Sequence, residues 1–245
     1  MQTIKHAYAS AMQGLGSGLY SSGVLNRETP PLHGDLWRWL HSLFAIYDID
    51  AMVRLDLPWW TLRAAKLVDR FLQQRPGAMV FEYGSGASTV FLAKRAEIVV
   101  SAEHDPRWHA TVTKKVAGHP NVLLTLAEAE PVDAQSTHWS AHRAWSGYDF
   151  NNYVQAIDRF EGLFDLIVID GRCRAHCLQA AKRRIKPDGL ILFDNAGRRR
   201  YRAALEGSAM PKLATSGLTA CLPYPDSTVL LSPEQAVLQA LVDAG

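Results

Sequence analysis

The first residues of this chain whose types and spacing suit ligand chemistry lie in FEYGSGASTVFLAKRAEIVVSAEHD, residues 81–105. Gly84 and Gly86 stand between an apolar run and a helix-like one. Without side chains at these points the backbone turns tightly and lets a ligand approach it closely. A dinucleotide fingerprint would add a glycine three residues after Gly86, but Thr89 stands there and Ser88 fills the neighbouring place. Glu82 weighs further against a pyrophosphate: two unit charges about 6 Å apart at an effective dielectric near 20 repel by roughly 3 kcal/mol. A ligand with an ammonium group and no phosphate turns the same acid into a recognition group. A glycine turn beside an acid is also an ordinary structural feature, so these residues alone leave both readings open.

Glu103 closes the second apolar run and can accept hydrogen bonds from both hydroxyls of a ribose. An ammonium-bearing nucleoside such as S-adenosylmethionine would then be gripped at both ends. A second group of polar residues closes later apolar runs: Asp170 after FDLIVI, and Asp194 with Asn195 after LILF. Arginines crowd the same positions, Arg172 and Arg174 after the first and Arg198, Arg199, Arg200 and Arg202 after the second. They suit a carboxylate or phosphate bound through paired N–H groups, or simply form a solvated basic face. The long connection AEAEPVDAQSTHWSAHRAWSGYDF reads as a lid, with Trp139, Trp145 and Tyr148 to cover an acceptor and His138 or His142 as base or as surface residues. Cys173, Cys177 and Cys221 match no zinc or redox spacing and read as reduced, with Cys173 a packing residue. Trp59 and Trp60 read as core.

The elements that must position these groups follow from hydrophobic period. Short continuous apolar runs at 79–83, 97–103, 121–126, 164–170 and 189–194 predict strands buried on both faces, hence a parallel sheet. Helical stretches at 88–95, 106–117, 150–160 and 174–186 alternate with them, the last closed by Pro187 and Gly189. The fold class is therefore α/β, doubly wound. A helix from about 58 to 75 precedes the first strand, and residues 35–55 form one or two more. GLTACLPYP and STVLLSP read as an antiparallel pair, followed by a helix at 233–243. The segment GLGSGLYSSG predicts a flexible leader. Residues 1–57 are thus a leader with a helical extension and residues 58–245 the ligand-binding domain.

The 245 residues carry a net charge of +2, too little to draw the chain wholesale to nucleic acid or membrane. No apolar run approaches the ~18 residues that span a bilayer. A cytoplasmic location is the expectation.

At this point the chain resembles the class I S-adenosylmethionine-dependent methyltransferases. FEYGSGAS, VSAEHD, FDLIVIDG, IKPDGLILFDN and DSTVLLS stand in family order over roughly 58–232. The resemblance implies a Rossmann-like, mainly parallel seven-stranded sheet with an antiparallel last strand. It places Glu82, Tyr83, Gly84, Ser85, Gly86 and Ser88 at the methionine part of the cofactor, Glu103 at the ribose and His104 beside the adenine. Glu128 faces the adenine amino group or is a surface acid. The chain lacks the motifs of base-amine and base-carbon methylases after the fourth strand, which implies a small-molecule acceptor, methylated at oxygen. Asp170, Asp194 and Asn195 resemble the catechol O-methyltransferase trio, which implies either Mg²⁺ or a metal-free acid/base role. Arg172, Trp139 and His142 would face the acceptor, which is anionic if Arg172 anchors it. An aminopropyl transferase of the same fold and a nucleic-acid or protein binder using the arginine edge are the alternatives, with a nicotinamide dehydrogenase behind them. Oligomeric state has no signature in the sequence.

Overall fold

The apolar runs pair side by side into one sheet. The computed structural model describes residues 2–23, 34–133, 136 and 145–243. Its strands are β1 (Met79–Tyr83), β2 (Ile98–Glu103), β3 (Val122–Leu126), a short β4 (Glu130–Pro131) and β5 (Tyr148–Asp149), β6 (Phe164–Ile169), β7 (Ile185–Asp194), β8 (Lys212–Gly217) and β9 (Asp226–Leu231). Seven of them form a sheet of order β3-β2-β1-β6-β7-β9-β8, while β4 and β5 pair separately. β1, β2, β3, β6 and β7 run parallel, and β9 runs antiparallel to both its neighbours.

Residue alternation decides what each face carries. Phe81 and Tyr83 of β1 face a core shared with Ile167, Ile169 and Phe193. Val80 faces the opposite one, shared with Val68, Leu92, Leu166 and Leu192. α7 (Asn151–Val154) and α8 (Arg174–Arg184) cover the first face; α4 (Leu62–Gln73), α5 (Ala87–Ala93) and α10 (Gln235–Asp243) cover the second. α6 (Pro106–Val116) joins β2 to β3, and α9 (Arg202–Glu206) follows β7. From β1 the chain builds outward to β3, then returns to place β6 on the other side. The C-terminal ends of β1 and β6 therefore flank the switch point where doubly wound sheets bind ligands.

Four expectations need correction. The glycine-rich leader is a helix, α1 (Gln2–Ser21). It packs through small residues: Ala9 is buried, and Gly16 lies so close to Phe44 that a Cβ would stand 2.7 Å from that side chain. Contacts made by two further helices, α2 (Asp35–Leu43) and α3 (Ile49–Leu55), and the bend between them offset the helix cost of glycine. The antiparallel partner of β9 is β8, not GLTACLPYP. Pro223 and Pro225 offer no ladder N–H, and the amide of Ala220 bonds Trp60 O instead. Pro187 and Gly189 lie within β7, where a register shift opposite Phe164–Leu166 absorbs them, and α8 ends before them. Finally, β3 is an edge strand and is not buried on both faces; Leu123 is half exposed.

The closest backbone approach in the sheet is at the switch point. Gly84 has φ +96°, and a Cβ there would stand 2.8 Å from both Cα and N of Gly171. Gly84→Ala combines steric overlap with an unfavourable φ and should lower stability by about 2 kcal/mol or more, read from the denaturant midpoint. Gly118→Ala, at an open position, should leave the midpoint unchanged or slightly higher.

Candidate active site

The turn after β1 is built on a carboxylate beneath it. Alternation along β1 sends Glu82 to the α5 face, where it is fully buried. It accepts hydrogen bonds from Ser88 Oγ at 2.5 Å, Thr89 Oγ1 at 2.6 Å and Ser101 Oγ at 2.7 Å. Thr89 Oγ1 in turn accepts from the Gly86 amide at 2.9 Å, so the acid, the turn and the first turn of α5 form one unit. Burial pushes the Glu82 carboxyl up to about 7; the three hydroxyls oppose this and the charge of Glu103 adds to it. Tyr83 is buried as well, and its hydroxyl donates to Val154 O at 2.7 Å. Glu82 and Tyr83 therefore support the turn from below and do not line the cavity above it.

Glu103, at the end of β2, is the acid that reaches the cavity wall. Its Oε2 accepts from the Ser85 amide at 3.1 Å and Ser85 Oγ at 2.9 Å. Its Oε1 accepts from the amides of His104 at 2.8 Å and Asp105 at 2.9 Å. Burial alone would raise its pKa, but His104 and these amides outweigh it and hold the group below the usual carboxylate range. His104 Nδ1 lies 2.8 Å from Oε1 but out of line for a hydrogen bond. Trp145 meets the His104 ring edge-on at 4.8 Å, Trp108 Nε1 donates to Ser85 O at 2.8 Å, and Trp59 stacks on Trp108.

Across the switch point the ends of β6 and β7 are tied by one buried guanidinium. Arg174 donates from Nη2 to Asp170 O at 2.8 Å and Oδ1 at 2.7 Å, from Nε to Gly171 O at 3.1 Å, and from Nη1 to Asp194 O at 2.5 Å. Asp194 Oδ2 lies 3.5 Å from the same Nη1. Trp60 Nε1 donates to Asp170 Oδ2 at 3.1 Å, and Thr228 Oγ1 to Asp194 Oδ1 at 2.9 Å. Two buried carboxylates share one cation, so burial and their mutual repulsion raise the proton affinity of the pair, against the pull of Arg174. Asp170 keeps 18% side-chain exposure and Asp194 only 2%, so Asp170 is the member open to the cavity. Asn195 adopts φ +51° and donates to Asp226 Oδ2 at 2.9 Å.

Residues 81–196 match a protein family described as a methyltransferase domain. Over these residues, just under half of the chain, the protein is similar to a methyltransferase domain. The fold is similar to that of precorrin 8w decarboxylase from Methanobacterium thermoautotrophicum, 14% identical over 70% of this chain and 90% of that one, with a TM-score of 0.50. It is also similar to a methyltransferase-like protein from Silicibacter pomeroyi (22%, 74% and 92%, TM-score 0.48) and to spermidine synthase from Thermotoga maritima (14%, 71% and 59%, TM-score 0.45). No curated protein matches the chain.

A cavity of about 530 Å³ opens at the switch point. Gly84, Ser85, Ser88, Glu103 and His104 line one half; Asp170, Arg172, Asp194 and Asn195 line the other. Gly86 sits just behind, between the rings of Trp59 and Trp108. Trp139, His138 and His142 lie outside the described residues, whereas Trp145 stands in the cavity wall. Glu128 is exposed and away from it. A second cavity of about 560 Å³ lies between α1, α3 and α6 and shares Tyr47 with the first.

The trio expected to hold Mg²⁺ does not fit it. The Arg174 guanidinium already takes the cation's place between Asp170 and Asp194. Trp60 and Thr228 occupy further oxygens, and Asn195 turns its amide to Asp226. Among the described residues no group of three or more His, Cys, Asp or Glu forms a metal site. Arg174 is likewise no substrate arginine, being buried and fully engaged. Cys173 packs against the core, and burial pushes its thiol up to about 12, which suits packing and not nucleophilic attack. Trp60 is core, as expected, yet its N–H holds Asp170; Trp59 was read as core but lines the cavity. Tyr47, Tyr224 and Asp226 also line it and carry no local signal, since they arrive from loops distant in sequence.

Glu82 has its folded pKa raised above the unfolded value of 4.5, so the native state holds the extra proton between about 4.5 and 7. Its contribution is fully favourable below 4.5 and is lost as pH rises through about 7. Glu82→Gln should remove this decline, worth up to about 3 kcal/mol across that window. Unfolding curves of the two proteins from pH 4 to 8 check this; parallel curves would refute it.

Proposed function

We propose that the protein carries the methyl group of S-adenosylmethionine to an oxygen of a small-molecule acceptor. The observation that supports this most is Glu103: an ionised carboxylate held at the cavity wall by four protein donors, at the end of β2 and beside a glycine turn. A carboxylate so placed accepts hydrogen bonds from a ribose diol and repels a pyrophosphate. Gly84 and Ser85 offer backbone to the amino-acid part of the nucleoside, with Glu82 fixing the turn from beneath. His104, Trp108 and Trp145 supply apolar and aromatic surface for the base.

When bound, S-adenosylmethionine supplies an activated methyl group on a sulfonium centre. The chain's own task is then to align an acceptor oxygen in line with the breaking carbon–sulfur bond and to receive the hydroxyl proton. Asp170 suits this. It is the more exposed of the two carboxylates, its position is set by Trp60 and Arg174, and burial raises its proton affinity above the usual carboxylate range. With the cofactor bound, Asp170 would receive the proton that the acceptor hydroxyl loses on methylation. Arg174 and Trp60 are positioning residues that hold the carboxylate.

Calorimetry should find S-adenosylhomocysteine bound more tightly than NAD; the reverse order would sink the reading. Glu103→Ala should weaken S-adenosylhomocysteine by about 1–3 kcal/mol. With an acceptor in hand, Asp170→Asn should lower kcat by ~10² while cofactor affinity stays within twofold. Equal losses in turnover and cofactor affinity would mark Asp170 as a cofactor residue instead.

A further inference from the structure

The charges left without partners in the cavity are positive. Asp170 and Asp194 share Arg174, Glu103 is occupied by Ser85 and two backbone amides, and Asp226 accepts from Asn195 and from the Ser227 amide at 2.8 Å. Arg172 and Arg198 line the same cavity, and no carboxylate among the described residues lies within ion-pair distance of either. Arg172 is half-buried, and its Nε is a buried donor with no hydrogen-bond partner. A guanidinium stays charged in any protein environment, so taking one partly out of water without an acceptor is a standing cost. A ligand oxyanion removes it.

The topology brings the two arginines together. Arg172 follows β6 and Arg198 follows β7, which are neighbours in register through Val168 and Leu192, about 4.8 Å apart as adjacent strands are. Both loops open at the C-terminal edge of the sheet, the first beside the turn at Gly84, whose backbone meets Gly171. Beyond Arg198 the chain continues with Arg199, Arg200 and Arg202, all exposed and none in an ion pair among the described residues; Arg200 lies over the Tyr201 ring. This run extends the positive potential outward from the cavity mouth, the arrangement that draws an anion inward.

We infer that the acceptor is a small anion whose phosphate or carboxylate group docks on Arg172 and Arg198, leaving its reactive oxygen toward Asp170. The inference rests on the methyl-transfer reading for the word acceptor; the anion site itself rests on the two arginines. Arg172 is the anchor, because its forked N–H groups match an oxyanion in paired fashion and because it sits within the cavity. Arg198 lies at the exposed rim and contributes a screened charge.

The test uses the full chain saturated with S-adenosylhomocysteine, titrated with inorganic phosphate and separately with benzoate, binding being followed by NMR and by the rise in unfolding midpoint. At least one anion should bind, and which one distinguishes a phosphorylated from a carboxylated acceptor. Arg172→Ala and the longer Arg172→Gln should each weaken that anion tenfold or more, and Arg172→Lys should recover only part of the loss. Arg200→Ala should change it less than twofold, and S-adenosylhomocysteine affinity should be equal in all variants. If neither anion binds, or if both Arg172 variants bind as the unaltered chain does, the site is refuted. So it is if a single-stranded RNA oligomer binds and is lost on joint replacement of Arg199, Arg200 and Arg202 but not of Arg172, for the basic run would then serve a nucleic acid. Failure of S-adenosylhomocysteine to bind, with anion binding by Arg172 intact, would overturn the methyl-transfer reading and leave the anion site standing.

Discussion

One buried guanidinium sets the working edge of this protein. Arg174 projects from the start of α8 into the gap between β6 and β7 and spends its donors on the carbonyls of Asp170, Gly171 and Asp194 and on two carboxylates. Strand ends at a switch point diverge by the sheet's twist and leave carbonyls without ladder partners, so something must satisfy them. A planar five-donor group does this for three residues at once. Desolvating the charge costs several kcal/mol, and the carboxylates return that energy only while their geometry holds. The edge is therefore rigid or lost. The same choice excludes a divalent cation, since the position between the acids is already positive.

Two neighbouring acids show how burial alone does not decide a charge state. Glu82 and Glu103 are both nearly inaccessible, yet their proton affinities move in opposite directions. Glu82 meets three hydroxyls, neutral donors that compensate desolvation only in part. Glu103 meets backbone amides and the His104 ring. The acid beneath the turn thus tolerates a proton and organises structure, while the acid at the wall stays charged. On adjacent strands, two residues of register separate the carboxylate beneath the turn from the one at the cavity wall.

The cavity is closed by parts of the chain that lie far apart. Ile46 and Tyr47 reach it from the bend between α2 and α3, and Leu222 and Tyr224 from the turn before β9. These segments are pinned to one another: Trp39 Nε1 donates to Leu222 O at 2.9 Å, and Ser42 Oγ accepts from the Cys221 amide at 3.0 Å. The N-terminal helices share a buried cluster with α5, α6, Ala220 and Cys221. The bend between α2 and α3 is thereby part of the cavity wall, and the shape of that wall depends on how these helices pack.

What the sequence determined by itself is the sheet and its ligand-facing ends. Continuous apolar runs separated by helical ones admit few arrangements other than a doubly wound sheet, and residues closing such runs necessarily gather at one edge; hence Gly84, Glu103, Asp170 and Asp194 were legible as site residues. Spacing also marked the turn at Gly84, where φ is positive and a Cβ would meet Gly171. Tertiary structure alone decided which of these groups face the cavity and in what charge state. Alternation along β1 turned Glu82 downward to three hydroxyls, and a guanidinium one helical turn beyond Asp170 filled the place a metal would have taken. The leader, whose glycines predict flexibility, is a helix in which Gly16 lies against Phe44. Local composition records propensity; contacts between residues distant in sequence, such as Trp60 with Asp170 or Thr228 with Asp194, carry no periodic signal and exist only once the sheet has brought them together.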